Sequence, residues 1–490
     1  MSFVSFQFWA ILLPAFFLLY LLFGKTARGQ NIVLFIASLV FYGSYDLKYL
    51  IVLGASIAVT YLGGLWGAKQ ETEEKRKKVW TLFLLLNLLL LVIFKYTNFL
   101  LGNLNTLLGL FGLSVALPSI LLPVGLSFYV FQSSTYLLDL KSGRCECEKD
   151  IISYALFVSF FPTVISGPIL RASRMLPQIH KRREISFERF QVFIFTFLWG
   201  MFLKLVLGDR LSGFVGTVYQ RYYDYGGFTL FVHTCISMLQ LYIDFAGYSF
   251  MAIAVGALFG FDIPDNFRQP WLSTTVAEFW RRWHISMMSW FTDYLYIPLG
   301  GSRKGRLRQN LNTLLVFAVS GLWHGPAWTF MLWGLTGALY MIIGKFLLPY
   351  RLRACEKLHI DRESFGFKTL QRFLTFFLIA PLVDIFSVGT LRQCAVYFKR
   401  MFSLWNPWVL FDGSLCELGM TTVDWRVAAA AGIVMLTVSV LREKGYGCSF
   451  LLKQNPAFRV VLFLLLLFTI VIFGVYGSAY SASAFVYAGF

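Results

Sequence analysis

The chain has 490 residues, of which 58% are hydrophobic, 18% aromatic and only 14% charged. A soluble domain carries about a quarter charged residues, so this composition excludes an ordinary soluble globule and predicts a polytopic membrane protein. The formal net charge of +18 does not indicate nucleic-acid binding, because the basic residues are dispersed through short loops between apolar stretches, as the positive-inside rule requires.

At about 20 residues per span plus connections, the length allows roughly ten to twelve transmembrane or re-entrant helices. The predicted fold is therefore an all-α membrane bundle forming a single integral-membrane domain, 1–490. The first apolar stretch lacks a basic segment before it and a cleavage site after it, so we expect it to be retained. The apolar stretches that supply these helices, among them broken ones and the pair 311–322 and 327–348 that is not expected to cross fully twice, are 8–24, 31–45, 47–67, 79–101, 104–120, 122–140, 151–169, 190–207, 228–261, 311–322, 327–348, 373–388, 427–441 and 460–476.

Two segments depart from simple spans, and one charged loop indicates the orientation. Residues 151–169 are interrupted by two prolines and a glycine, which predicts a re-entrant segment whose backbone needs protein or water partners. Residues 277–296 are apolar yet carry Arg281, Arg282 and Asp293, which predicts one amphipathic helix at the membrane surface. The charged loop 69–78 is placed in the cytoplasm, which puts the N-terminus outside.

His324 follows Trp323 and precedes Gly325-Pro326, where one predicted helix ends and the next begins. At such a break its ring nitrogens can face a cavity, and a neutral imidazole can take a hydroxyl proton as general base. That chemistry suits transfer of an acyl group from a thioester to an alcohol. The alternative is that His324 only joins two helices by a hydrogen bond. The oxyanion donor is not identified; the candidates are the backbone N–H groups at the Gly325-Pro326 helix break and a tyrosine hydroxyl or glutamine amide.

His284 lies beside Trp283 in the predicted surface helix. Either it is structural, or it orients the donor or acceptor beside His324. The neighbouring basic residues Arg281 and Arg282, with Arg303 in the following loop, are candidates to bind the phosphates of a donor such as coenzyme A. The alternative is that they contact anionic lipid headgroups.

Other polar residues in apolar stretches are candidates to line a substrate tunnel. Asp244 and Tyr242 lie in one long predicted helix and Gln132 in another, while Trp283 and Trp323 flank the two histidines. A carboxylate at membrane depth faces the bundle interior and pairs there, so Asp244 either staples helices or serves the reaction. Gln132 equally suits interhelical hydrogen bonding. The seven cysteines show no C-x-x-C spacing, so no metal or disulfide framework is predicted.

Five segments, in this order, resemble the membrane-bound O-acyltransferase superfamily, and with them the resemblance covers roughly residues 30–345. The segments are LPVGLSFYVFQSSTYLLDL (122–140), SFFPTVISGPILR (159–171), LYIDFAGYSFMAIAVGALFGFDIPDNF (241–267), EFWRRWHISMMSWFTDYLYIPLGGSRKG (278–305) and GLWHGPAW (321–328). Residues 346–490 then supply C-terminal helices. The YIPLGG sequence and the aromatic tail at 485–490 are most similar to the branch that O-acetylates alginate and other bacterial polysaccharides.

The resemblance implies a ring-like bundle around a central tunnel in the bacterial cytoplasmic membrane. It implies that His324 is the catalytic histidine and His284 the second family histidine. It also implies a thioester donor, acetyl-CoA or an acyl carrier protein, no permanently bound cofactor, and an extracytoplasmic glycan or an SGNH, esterase-like acyltransferase as acceptor. The alternatives are D-alanyl transfer to teichoic acid, a transporter or flippase, and a scaffold of a glycan-export complex; paired halves typical of transporters are not visible.

Overall fold

A computed structural model describes residues 2–476, and every regular element among them is helical. This confirms the predicted all-α membrane fold; the aromatic tail at 485–490 lies outside the described residues. The α-helices are α1 (Leu13–Phe23), α2 (Ala27–Gly43), α3 (Leu47–Ala68), α4 (Glu73–Leu91), α5 (Thr97–Leu108), α6 (Leu126–Lys141), α7 (Ile151–Ser159), α8 (Ala172–His180), α9 (Phe187–Met201), α10 (Asp209–Gln220), α11 (Gly227–Leu258), α12 (Val276–Arg282), α13 (Ile285–Phe291), α14 (Gly305–His324), α15 (Trp328–Lys357), α16 (Phe365–Ser387), α17 (Leu391–Met401), α18 (Thr422–Glu443), α19 (Cys448–Leu452) and α20 (Pro456–Phe473).

Within residues 2–476, eight helical stretches are long and apolar enough to cross a membrane. A shorter apolar helix covers Gln7–Phe23, and the broken segments add further apolar pieces, so the protein is a multi-pass integral membrane protein. The predicted tunnel and ring stay predictions. The eight stretches are Leu47–Ala68, Glu73–Phe111, Phe187–Gln220, Gly227–Leu258, Trp328–Lys357, Phe365–Ser387, Thr422–Glu443 and Pro456–Phe473.

The helices begin where the sequence offers a capping side chain. Thr26, Thr72 and Asp150 each accept a hydrogen bond from the backbone N–H three residues ahead, which satisfies one of the donors that a helix start leaves open. Short π-helical turns interrupt or extend helices at Gln7–Leu12, Val92–Tyr96, Phe202–Gly208 and Thr292–Tyr296. Two of these turns, Gln7–Leu12 and Phe202–Gly208, therefore lie at the ends of predicted spans.

By internal contacts the described chain forms two compact units. The first comprises residues 2–197 and 251–264, and the second comprises 198–250 and 265–476. The single domain predicted for 1–490, with its core at 30–345, therefore contains two compact units. Each unit is built from two separate ranges of the sequence. Both predicted histidines belong to the second unit.

In the first unit, the polar side chains of α6 compensate for a broken helix. After α7 ends, residues 160–170 form turns and irregular chain and are buried. This agrees with the interruption expected from two prolines and a glycine, while the re-entrant course of 151–169 stays a prediction. The Gln132 amide donates to Phe157 O (2.5 Å) and accepts from the Leu170 N–H (3.2 Å). Thr135 accepts from the Ala172 N–H at 3.2 Å. Irregular backbone at membrane depth needs such partners. Gln132 and Thr135 of α6 therefore stabilise the broken segment.

The prediction of one continuous surface helix at 277–296 is wrong, because the segment forms two helices. The segment divides into α12 and α13, with His284 between them at φ 45°. Histidine tolerates this left-handed conformation better than bulky or β-branched residues. The break turns His284 into the protein, where it is 0% exposed, rather than leaving it at the membrane surface.

Candidate active site

The position of His324 follows from a close approach of α14 and α15. His324 is the last residue of α14, and α15 begins four residues later. A Cβ at Gly321 would lie 2.3 Å from Phe330 O, and a Cβ at Gly325 would lie 2.0 Å from the Phe330 ring. Any side chain at either position would strike α15. The two helices therefore pack backbone to backbone through small residues, which fixes the turn that carries His324.

Two indole rings contact the imidazole of His324. Trp323 lies 4.8 Å away between ring centres at an interplanar angle of 76°, and Trp333 of α15 lies 4.9 Å away at 85°. Edge-to-face contacts of this kind are favourable and directional. Because they come from two different helices, they restrict the plane of the His324 ring, which is only 6% exposed.

The proton of neutral His284 can be assigned from its neighbours. Its Nδ1 lies 3.1 Å from Asn266 Oδ1, and that same oxygen accepts from the Ser286 backbone N–H. A backbone N–H is always a donor, so the amide oxygen of Asn266 is correctly oriented as an acceptor and His284 Nδ1 must donate. Nε2 of the neutral ring is then the nitrogen with the lone pair. Burial lowers the pKa of His284 to about 3, so the ring is neutral at physiological pH.

The two histidines lie together, as predicted. Their ring centres are 6.5 Å apart, and the ring of Trp323 lies 6.2 Å from that of His284. Phe245 of α11 contacts the ring of His284 edge to face, with the ring centres 4.7 Å apart at 85°. The pair is therefore enclosed by aromatic rings that limit the access of water.

Two further predicted tunnel residues join this aromatic cluster. Trp283 stacks on Phe279 at 5.4 Å and 21°, and Tyr242 lies 6.1 Å from Trp283. Tyr242 also contacts Trp271 edge to face at 4.8 Å. The rings of His284, Trp323 and His324 contact one another directly. Trp283, the sequence neighbour of His284, is linked to it by successive ring contacts through Phe267 and Phe245.

Asp244 and Gln132 have other contacts. Asp244 pairs with Lys204 at 2.5 Å, and Lys204 also pairs with Asp209 at 2.9 Å; all three side chains are at most 2% exposed. This supports the stapling alternative for Asp244. Gln132 lies in the first unit and bonds the broken segment after α7. Its placement supports interhelical hydrogen bonding, and a tunnel role for either residue stays a prediction.

The three arginines predicted to contact donor phosphates differ in their surroundings. Arg281 and Arg303 are exposed. Arg282 bonds Glu278 Oε1 and Glu443 Oε2, each at 2.7 Å. Burial opposes ionisation of Glu278, but hydrogen bonds from Thr274 and Arg282 outweigh it and lower its pKa. Because its guanidinium bonds two carboxylates, Arg282 links α12 to α18. The predicted binding of donor phosphates therefore applies mainly to Arg281 and Arg303.

Sequence reasoning missed several residues that shape the site. Trp333 and Asn266 contact the two histidines, yet neither stands out in the sequence, since one lies in an apolar span and the other in a polar loop. Lys204 was detectable, because a lone lysine inside an apolar span is costly and indicates a specific partner.

The backbone N–H of Gly325 donates to Gly321 O at 3.2 Å, so the predicted oxyanion role for this group is not supported.

The family profile described as MBOAT, membrane-bound O-acyltransferase family, matches residues 39–355. The chain belongs to this family. It is 32% identical over 441 residues to "Probable alginate O-acetylase AlgI" of Pseudomonas putida, a match that covers 90% of this chain and 87% of the relative. It is 33% identical over 456 residues to the peptidoglycan O-acetyltransferase of Helicobacter pylori, covering 87% and 83%.

A third relative is more distant. The teichoic acid D-alanyltransferase of Bacillus subtilis is 25% identical over 247 residues, covering 46% of this chain and 59% of the relative. All three relatives transfer acyl groups according to their names, and two of them are similar along most of the chain. The protein is accordingly a membrane-bound O-acyltransferase, which confirms the predicted reaction class.

Proposed function

We propose that this acyltransferase moves an acetyl group from a cytoplasmic thioester, acetyl-CoA, to a hydroxyl of an extracytoplasmic glycan. The acceptor is reached directly or through an SGNH, esterase-like partner, and the enzyme works in the bacterial cytoplasmic membrane. The relatives matched over 87–90% of this chain are named for acetylation of alginate and peptidoglycan, whereas the D-alanyltransferase matches 46%. This difference favours acetyl transfer over D-alanyl transfer.

The observation that carries the chemistry is His324 at a helix break, enclosed by two indoles and 6.5 Å from a second imidazole. In the proposed reaction, His324 takes the proton of the acceptor hydroxyl as its oxygen attacks the thioester carbonyl. The C–S bond breaks, the C–O bond of the new ester forms, and the proton passes from His324 to the departing thiolate. No covalent acyl-enzyme is needed.

His284 has a different role from His324 in this scheme. Its neutral ring donates through Nδ1 to Asn266, so it can present only an acceptor to a substrate. It can therefore orient an O–H or N–H group, but it cannot stabilise the negative charge of the tetrahedral intermediate, which requires a donor. His284 is accordingly proposed to position the substrate beside His324.

The test uses purified protein with radiolabelled acetyl-CoA and a glycan or small alcohol acceptor. We expect label to appear in an ester with the wild type and not with His324→Ala. Inertness toward acetyl-CoA combined with activity toward a D-alanyl carrier-protein thioester would reassign the protein to D-alanyl transfer. No transfer from any thioester, with movement of a lipid-linked sugar across proteoliposomes, would support the transporter alternative.

A further inference from the structure

A small cavity lies between the loop before α12 and the N-terminal part of α16. It has room for one water-sized group, about 10 Å³, and its lining includes Trp271, Ser273, Phe279 and Arg372. All of these residues belong to the second unit. The cavity is separate from the rings that contact His324 directly.

Two polar atoms of the lining lack a partner among the described residues. They are Trp271 Nε1 and Ser273 Oγ, both buried, and Ser273 as a whole is 1% exposed. A buried donor without an acceptor destabilises the folded state, and native proteins rarely leave one so. Both residues line the same cavity, which indicates a group there that accepts hydrogen bonds.

Arg372 adds charge to the same cavity. Its Nε donates to Leu272 O at 3.3 Å, which fixes the guanidinium against the loop that carries both unpartnered donors. No aspartate or glutamate is among the described residues that line the cavity. An indole N–H, a hydroxyl and an arginine without a carboxylate form a site for an anionic oxygen.

A series of aromatic contacts connects the cavity with His324. Phe279 of its lining contacts Trp280 at 5.4 Å, Trp280 contacts Trp333 at 5.9 Å, and Trp333 contacts His324 at 4.9 Å. Three successive ring contacts thus separate it from the proposed base. Arg372 lies toward the end of α16 that follows the basic stretch 351–368, which the positive-inside rule places in the cytoplasm.

We propose that this cavity binds one oxygen of the phosphate of a 4′-phosphopantetheine arm. The proposal rests on the proposed function, because this arm is common to coenzyme A and acyl carrier proteins. One phosphate oxygen enters the cavity and accepts from Trp271 and Ser273, while the remaining oxygens face Arg372. The flexible arm then extends along the aromatic rings toward His324. This site is distinct from Arg282, whose guanidinium already bonds two carboxylates.

The experiment measures binding rather than turnover, on a His324→Ala background in which the donor is not consumed. Phosphopantetheine and pantetheine, which differ only in the phosphate, are titrated into purified full-length protein. We expect the phosphate to improve affinity about tenfold, as a charge-assisted contact does, and Arg372→Gln to abolish this difference. Ser273→Ala, a minimal change, is expected to reduce the difference about threefold. Arg353→Gln, an exposed arginine on α15, is the matched control and retains the full difference.

The source of the phosphate is identified by competition. Coenzyme A and a phosphopantetheinylated carrier protein are each tested against labelled phosphopantetheine, and the one that competes at lower concentration is the physiological source. Equal affinity for phosphopantetheine and pantetheine in the Arg372-containing protein would overturn the proposal, as would an unchanged difference in both Arg372→Gln and Ser273→Ala. These results leave the role of His324 untouched, since that role is tested by turnover alone.

Discussion

Two regions of the molecule bury polar side chains among apolar ones and do so for different purposes. On α6, Gln132 and Thr135 bond the backbone of the broken segment after α7. Around α14 and α15, indole rings contact His324, while His284 contacts aromatic rings and donates a hydrogen bond to Asn266. The first arrangement provides hydrogen-bond partners for backbone groups that a regular helix would have paired. The second restricts the orientation of two imidazole rings and leaves their nitrogens able to react with or bind a substrate.

The difference explains why a polar residue in an apolar stretch is an ambiguous signal. Lys204, Asp209 and Asp244 show the structural extreme, since one cation lies between two carboxylates. Changes to such groups are expected to affect stability, and changes to the rings around His324 are expected to affect the reaction. Each variant below is chosen to separate these two outcomes.

The largest effect is expected for Lys204→Met. Removing the cation leaves two buried carboxylates uncompensated, which typically costs 3–5 kcal/mol. We expect the amount of folded protein in the membrane to fall sharply, measured by fluorescence-detected size-exclusion chromatography. Normal amounts of monodisperse, active protein would show that Lys204 does not stabilise the second unit. Lys444→Met, an exposed lysine after α18, serves as the control.

Gln132→Leu is expected to have the next largest effect. It leaves the Leu170 N–H and Phe157 O without their side-chain partner, and an unsatisfied buried group costs about 1–3 kcal/mol. We expect a lower melting temperature in detergent with kcat per folded molecule close to wild type. A large loss of kcat at unchanged melting temperature would instead place Gln132 in the substrate path.

Trp333→Phe is expected to give the opposite pattern. The smaller ring keeps an aromatic contact with His324 but no longer fills the same width, and misplacement of a catalytic group lowers the rate about tenfold or more. We expect kcat to fall with KM nearly unchanged. Phe377→Leu on α16, an exposed aromatic residue, is the control and should leave kcat unchanged. Equal kcat values for Trp333→Phe and wild type would show that this indole does not position His324.

The smallest effect concerns Glu278, which lies outside the candidate spans. Hydrogen bonds lower its pKa in the folded protein, so its ionised form contributes stability above the ordinary glutamate pKa of about 4.3. This contribution is lost as pH falls through the lowered value. We expect Glu278→Gln to reduce the decrease in melting temperature between neutral and acidic pH. An identical pH dependence in the two proteins would contradict the pair with Arg282.

Much of the fold and the centre of the site could be predicted from sequence, for physical reasons. Apolar length determines which helices can span a membrane, and Gly325-Pro326 marks the break after His324. The break at His284 could not be predicted, because it depends on a left-handed backbone conformation and on a hydrogen bond to Asn266 of the loop before α12. Trp333 was missed because its neighbours in the sequence are equally apolar, and only packing shows which ring meets His324.

The most direct test of the central claim compares His324→Ala and His284→Ala in cells that contain normal amounts of each protein. Acetylation of the surface glycan is measured by release of acetate after mild base treatment. If His324 is the general base, its loss reduces acetylation about 10²-fold or more, and the loss of His284 has a smaller effect. Unchanged acetylation in His324→Ala would contradict the assignment of His324 as the catalytic residue.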